Sequence, residues 1–217
     1  NMGFSSVPNV INNIMMERLA SVSGPTKGKI LRPSDQKPVE SVVFVQCAGS
    51  RDENHLPYCS SICCLGSLKH AKYVLEQNPE AKVHIFYIDI RTPGKYEDFV
   101  AKVQAEPNVN MIKGKVAKIV AGKDGGVMVE AEDILKLGKV HLEVDMVVLA
   151  TGMESSLKGQ AQVAGITLDE YGFVPVELQQ HGIFSAGVAK RPVDVNSSIQ
   201  DSTGTALKAI QIEMGVN

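Results

Sequence analysis

The chain has 217 residues, 44% of them hydrophobic and 21% charged, with a formal net charge of −2; this balance describes one large globular domain or two small ones. Lys+Arg 22 nearly cancel Asp+Glu 24, so there is no extended basic field for a phosphate backbone, and nucleic acid is not an expected partner. The longest apolar runs, 41–45 and 146–150, fall far short of the roughly 20 residues that cross a bilayer, and residues 1–4 carry no secretory pattern, so a cytoplasmic protein without direct membrane insertion is expected.

Residues 9–22 place Val10, Ile11, Ile14, Met15, Leu19 and Val22 at three- and four-residue steps behind Pro8 and Asn9, which predicts an amphipathic helix. Residues 33–38 form a polar, proline-bounded connector, with a boundary near Val39. The run 41–46 predicts a strand buried on both faces, 61–77 a helix, and 82–90 a second buried strand ending in Asp89 and Arg91. Strand, helix, strand is the βαβ unit of a parallel sheet. A helix near 96–104 precedes β-rich pieces at 110–112, 115–120, 127–132 and 139–144, read together as an antiparallel meander. Residues 147–150 predict another buried strand that ends at Thr151-Gly152. The tail predicts a short strand from Ile183 into Ala186-Gly187, then a helix over 197–214.

All 4 cysteines fall between residues 47 and 64: Cys47, Cys59, Cys63 and Cys64. A disulfide scaffold would spread its cysteines to staple distant segments, and a chain of this size buries a core without staples. Clustering points instead to a metal centre or redox site. Iron–sulfur clusters need soft thiolates and a backbone that wraps closely, and Gly49, Ser50, Ser60 and Ser61 are small enough for that. With Cys59 and Cys63 one turn apart at a helix start, the positive helix end would favour their thiolates. Structural zinc, a Cys63/Cys64 dithiol and simple burial of small apolar side chains are the competing readings.

After the 41–46 strand, a dinucleotide-binding domain would carry G-x-G-x-x-G to bring its backbone against a pyrophosphate. Cys47-Ala48-Gly49-Ser50-Arg51 stands there instead, and Asp89 lies far beyond the usual distance for a ribose-binding acid. NAD(P) binding is therefore not expected. His55 reads as a solvated loop residue. His70, His84, His141 and His181 have no companion carboxylate or nucleophile pattern, and no Ser lies in a G-x-S-x-G elbow.

Several motifs agree with one family: Ser21-Val22-Ser23-Gly24-Pro25 with Arg32-Pro33-Ser34-Asp35, Phe44-Val45-Gln46-Cys47-Ala48-Gly49-Ser50-Arg51-Asp52, Tyr58-Cys59-Ser60-Ser61-Ile62-Cys63-Cys64, and Phe86-Tyr87-Ile88-Asp89-Ile90-Arg91. They resemble the A subunit of heterodisulfide reductase and its relatives. Residues 182–195 and 206–211 are most similar to the branch formed by the flavoprotein A subunit of the quinone-interacting membrane-bound oxidoreductase. Val148-Leu149-Ala150-Thr151-Gly152 is shared by many flavoproteins with two dinucleotide-binding domains.

The resemblance implies an α/β, Rossmann-like FAD/NAD(P)-binding fold of the thioredoxin reductase type, a parallel sheet with helices plus an antiparallel β meander. It implies that residues 1–38 and 153–217 belong to an FAD-binding lobe and 39–152 to an inserted domain carrying the cysteines. The family's Gly-rich FAD loop is expected upstream of this sequence, making the chain a C-terminal fragment that binds FAD weakly or not at all. The resemblance further implies a [4Fe-4S] cluster on Cys47, Cys59, Cys63 and Cys64. It implies FAD contacts from Thr151, Gly152, Gly187, Val188, Ser198 and Ile199, with Val188 in the place of the superfamily's ribityl-binding Asp, and a flavin-proximal pair, Glu17 and Lys69. The implied function is electron transfer in an oxidoreductase complex linking a quinone pool to sulfur-compound reduction, with other subunits, one of them membrane-bound and quinone-interacting, as partners. The alternatives are a pyridine-nucleotide-dependent disulfide reductase-like domain with a Cys63/Cys64 redox pair, and a zinc-stabilised docking module.

Overall fold

The computed structural model describes residues 2–160, 165–180 and 182–215; His181 lies outside the described residues. Among these residues eight strands and four α-helices form: β1 (Val10–Asn12), α1 (Asn13–Ala20), β2 (Ser41–Val45), α2 (Cys63–Gln77), β3 (Lys82–Tyr87), α3 (Glu97–Gln104), β4 (Val109–Lys113), β5 (Val116–Ala121), β6 (Val127–Asp133), β7 (Gly138–Val144), β8 (Met146–Leu149) and α4 (Val195–Glu213). The chain divides into two compact units, one of residues 1–57 and 63–152, the other of 58–62 and 153–217.

In the first unit a five-stranded sheet runs in the order β1-β8-β2-β3-β4, parallel throughout. Its central strands are apolar on both faces, as a sheet covered on both sides requires. On one face Val42, Phe44, Val83, Ile85, Met146 and Val148 pack with Met16 and Leu19 of α1, Leu68, Ala71 and Val74 of α2, and Val103 of α3. On the other, Val43, Val45, Val147 and Leu149 pack with Val116, Ile119, Val127, Val129 and Val144 of the antiparallel sheet β5-β6-β7. The result is three layers, with the parallel sheet in the middle.

Three sequence expectations change. The 9–22 segment is not one helix. Val10 and Ile11 pair with Val147 and Val148 as an edge strand, and the Asn12 side chain accepts from the Met15 N–H to start α1. A buried slot beside β8 favours two β-branched residues in extended form, and tertiary burial outweighs a weak helix preference. Met16 and Leu19 face the core, while Ile14, Met15 and Val22 are exposed. The piece at 110–112 is not part of the meander: α3 returns the chain so that β4 pairs parallel with β3. Residues 183–186 form no strand. The Ser185 hydroxyl instead donates to the Val174 carbonyl, and the Val174 N–H donates to Ala189 O.

Residues 1–38 contribute β1 and α1 to the same sheet and core as residues 39–152. They are tied in by a polar cluster: Asp145 Oδ2 accepts from the Glu40 and Ser41 N–H groups at 2.9 and 2.8 Å, and Asp145 Oδ1 meets Arg32 at 3.1 Å. Asn9 bridges Ser34 and the Gly125 carbonyl, and Arg32 also donates to Asp124 O.

Among its described residues, the second unit has little regular structure beyond α4. Tyr58 anchors its first segment, its ring against Tyr171 and Phe173 and its hydroxyl donating to Met153 O.

Candidate functional site

The carboxyl ends of β2, β3 and β8 form one edge of the parallel sheet. The chain runs from β2 through α2 and α3 toward β4 on one side, while β8 and β1 lie on the other. Ligands of open α/β sheets usually bind beyond the carboxyl ends of the strands. Gln46 and Cys47 follow β2 there, and Thr151 and Gly152 follow β8. Cys47 turns the chain with φ +55°. The Ala48 N–H then donates to Ala150 O and the Leu56 N–H to Gly49 O, folding residues 47–56 back on themselves. A Cβ on Gly49 would sit 3.3 Å from the Thr151 carbonyl, and its φ of +125° also favours glycine.

Cys63 and Cys64 open α2, where the positive helix end favours thiolates. The Arg91 N–H donates to Cys64 Sγ at 3.5 Å, and that thiol lies 3.9 Å from Asp89 O. Cys59 precedes the helix rather than standing one turn before Cys63 within it. It belongs to the short segment of the second unit, where the Ser61 N–H donates to its sulfur at 3.4 Å. Among the described residues, no group of three or more His, Cys, Asp or Glu is arranged to hold a metal ion. Within the first unit, Cys47, Cys63 and Cys64 are soft sulfur donors of the kind an iron–sulfur centre uses, and Cys64 already receives a backbone N–H, as cluster sulfurs do.

Asp89 is engaged by two arginines. It pairs with Arg51, from the loop after β2, and with Arg91 at 3.4 Å. Burial alone would raise its pKa, but the hydrogen bonds from Arg91 and Arg51 outweigh that and hold it below the usual carboxylate range.

Glu17 on α1 and Lys69 on α2 meet as an ion pair, each somewhat under half exposed. The sequence reading missed their third member. His70 is 1% exposed and its Nε2 lies 2.8 Å from Glu17 Oε1, so this histidine does have a companion carboxylate. A distance of 53 positions hides such a pair from any local motif. The His70 ring packs on Phe44 and Tyr73. Burial lowers its pKa, only partly countered by Glu17, so the neutral ring is favoured. Burial pushes the Glu17 carboxyl up, while Lys69 and His70 together bring it below its ordinary value.

In the second unit Val188, Ser198 and Ile199 line an apolar trough of about 980 Å³ together with Met153, Leu207 and Ile210. Gly187 turns at φ +58°, and a Cβ there would press on Ser198 at 3.1 Å. Its N–H donates to Asp201 Oδ2 at 2.8 Å. Asp201, which also pairs with Lys190 at 3.3 Å, is thus an acceptor that the sequence reading did not find. Its signal was the helical repeat: Asp194, which caps α4 by accepting from the Ser197 N–H, lies two turns earlier on the same face.

No protein-family model matches the chain. Among curated proteins, it is 37% identical over 95% of its length to an iron–sulfur A subunit of the CoB–CoM heterodisulfide reductase of Methanopyrus kandleri, covering 34% of that protein. It is 36% identical over 97% of its length to the A subunit of the ferredoxin/F(420)H(2)-dependent CoB–CoM heterodisulfide reductase of Methanosarcina acetivorans, covering 28% of it. The chain spans about a third of the length of these relatives. Among solved structures, thioredoxin reductase of T. acidophilum superposes with a TM-score of 0.50 at 18% identity, over 80% of this chain and 53% of that one. Lactococcus lactis thioredoxin reductase gives the same score at 14% identity, over 82% and 54%. The fold is accordingly the Rossmann-like type seen in thioredoxin reductases, a parallel sheet with helices and an antiparallel sheet of three strands. By sequence, the chain is a relative of the heterodisulfide reductase A subunit, matched over a segment about one third as long as that protein.

Proposed function

We propose that this chain is the electron-transfer segment of a flavin and iron–sulfur oxidoreductase subunit, with Cys47, Cys59, Cys63 and Cys64 as ligands of a [4Fe-4S] cluster. The observation that carries the reading is the match, over 95% of the chain, to a heterodisulfide reductase component whose name describes it as iron–sulfur, in a sequence whose 4 cysteines all lie between residues 47 and 64. The cluster would supply one-electron chemistry. The chain's part is to hold four thiolates and direct the Ser61 and Arg91 N–H groups at two of the sulfurs.

FAD is the second cofactor of this reading. Thr151 and Gly152 at the sheet edge, and Gly187, Val188, Ser198 and Ile199 along the trough, are the contacts proposed for it, and Glu17 and Lys69 the pair proposed near the flavin. The partners are other subunits of an oxidoreductase complex, one of them membrane-bound and quinone-interacting, which would couple a quinone pool to sulfur-compound reduction. That finer part rests on the resemblance of residues 182–195 and 206–211. It agrees with a cytoplasmic protein that reaches the membrane through partners; among the described residues no helix is long and apolar enough to cross one.

The test is iron and acid-labile sulfide per chain after anaerobic reconstitution, for the wild type and for Cys63→Ser with Cys64→Ser. About four of each, lost in the double variant, is the expected result. Stoichiometric zinc without sulfide, or folded protein that takes up no metal, would overturn the reading.

A further inference from the structure

The β6–β7 hairpin turns through Asp133-Ile134-Leu135-Lys136-Leu137-Gly138. Three of the residues between the two strands are large aliphatics, and all three face water: Ile134 is 53% exposed, Leu135 71% and Leu137 91%. Scattered exposed aliphatics are ordinary, but several on one turn form a patch, and such patches mark interaction sites. The turn is built to hold them there. The Asp133 carboxylate is buried and accepts from the Leu135 and Lys136 N–H groups at 3.0 Å each. Leu137 sits at φ +51°, a left-handed conformation that costs a leucine and suits a glycine. Local backbone preference therefore opposes leucine at this place, and what the residue adds to the turn is an apolar side chain in water.

Lysines surround the patch. Lys136 lies within it and Lys139 follows it. The Ile134 N–H donates to Lys113 O at 2.8 Å and the Glu132 N–H to Lys115 O at 3.1 Å, which brings residues 113–115 alongside the hairpin. All four lysines are exposed. The acids at this end are Glu132, exposed and opposite Lys139 in the strand pairing, and Asp133, which is engaged with the turn and has Lys136 Nζ 3.9 Å away. Residues 113–115 and 132–139 thus carry four ammonium groups against two carboxylates.

We propose that this hairpin tip seats the chain on an anionic lipid surface, with Ile134, Leu135 and Leu137 entering the headgroup layer and Lys113, Lys136 and Lys139 facing lipid phosphates. The excess of ammonium groups selects an anionic surface. A protein–protein interface of standard size buries roughly 1,200–2,000 Å² around aromatic or arginine anchors, and this turn has neither residue type. A few inserted aliphatics beside clustered lysines are instead what reversible membrane association uses. Spanning a bilayer takes roughly 20 apolar residues; entering its headgroup layer does not. The proposal requires neither cluster nor flavin. It goes beyond the reading above, in which the membrane is reached through partner subunits, because here the chain touches the surface itself.

The test is flotation of the chain with vesicles of phosphatidylcholine alone or of phosphatidylcholine and phosphatidylglycerol in equal parts, at low salt. The expected result is saturable binding to the phosphatidylglycerol vesicles and little to phosphatidylcholine alone. Binding should fall about tenfold or more for Leu135→Ser with Leu137→Ser, and for Lys136→Glu with Lys139→Glu. Leu137→Gly separates docking from folding: it relieves the left-handed residue, so Tm holds or rises while vesicle binding weakens. The chain has no tryptophan, so Leu135→Trp provides a single emission that should shift to the blue with anionic vesicles. No binding to either vesicle, the outcome for a tip that another protein covers, overturns the proposal. So does equal binding to both vesicles, binding that the variants retain in full, or an unshifted tryptophan emission in vesicle-bound protein.

Discussion

His70 shows what one buried side chain does to the chemistry of its neighbours. Its ring shares the Glu17 carboxylate with Lys69, so Glu17 is held by two partners rather than one. Because burial lowers the His70 pKa from the ordinary value of 6.5, the unfolded chain takes up a proton below that pH which the folded chain resists. Stability is then complete above about pH 6.5 and falls as the pH drops below it. Thermal melts at pH 7.5 and 5.5 should show a lower Tm at the acid pH, and His70→Gln should reduce that difference. Part of it will remain, since His84 is lowered by burial in the same direction. An acid-side loss identical in His70→Gln would remove His70 from the account. Removing the carboxylate is the harsher change: Glu17→Ala leaves a 1%-exposed imidazole without its acceptor and should cost about 1–3 kcal/mol in urea unfolding.

Among the elements, the turn between β7 and β8 holds the first unit's long-range connections together. Asp145 serves the N–H groups at the start of β2 and the guanidinium of Arg32 with one carboxylate. Asp145→Ala would orphan these donors beside a largely buried arginine, so a loss of about 3 kcal/mol is expected from chemical denaturation. The helix caps carry smaller, separable terms. Asn12→Ala and Asp194→Ala each remove a side-chain acceptor from a first-turn N–H and should each cost about 1 kcal/mol. The first also tests the observed start of α1: a helix running from Asn9 would be indifferent to a change at Asn12.

Across the whole chain, the apolar core is unevenly distributed. The first unit sandwiches its parallel sheet between two apolar layers. In the second, Phe173 and Val174 are the buried hydrophobic residues among those described, and α4 buries none while exposing Val195, Ile199, Leu207 and Ile210. Local opening is governed by such burial. Amide exchange of the isolated chain should therefore be slow in β2, β3 and β8 and faster by orders of magnitude over 195–213. Equal protection in the two regions would show that burial within each unit does not set their stability.

The parts legible in the sequence were those written in neighbouring residues. Apolar, strand-length runs marked β2, β3 and β8, helix-compatible stretches marked α2 and α3, and the cysteines between 47 and 64 marked the candidate centre. Each signal is local, because burial on both faces or on one stripe imposes a period that the chain displays directly. Tertiary structure alone decided which partner each segment met. Val10 and Ile11 became a strand because β8 offered an edge, and β4 joined the parallel sheet because α3 carried it there. His70 acquired Glu17, Gly187 acquired Asp201, and Gln46 was buried without a partner among the described residues. Such pairings depend on positions far apart in sequence that the fold brings within hydrogen-bond distance, and no period within a short window records them.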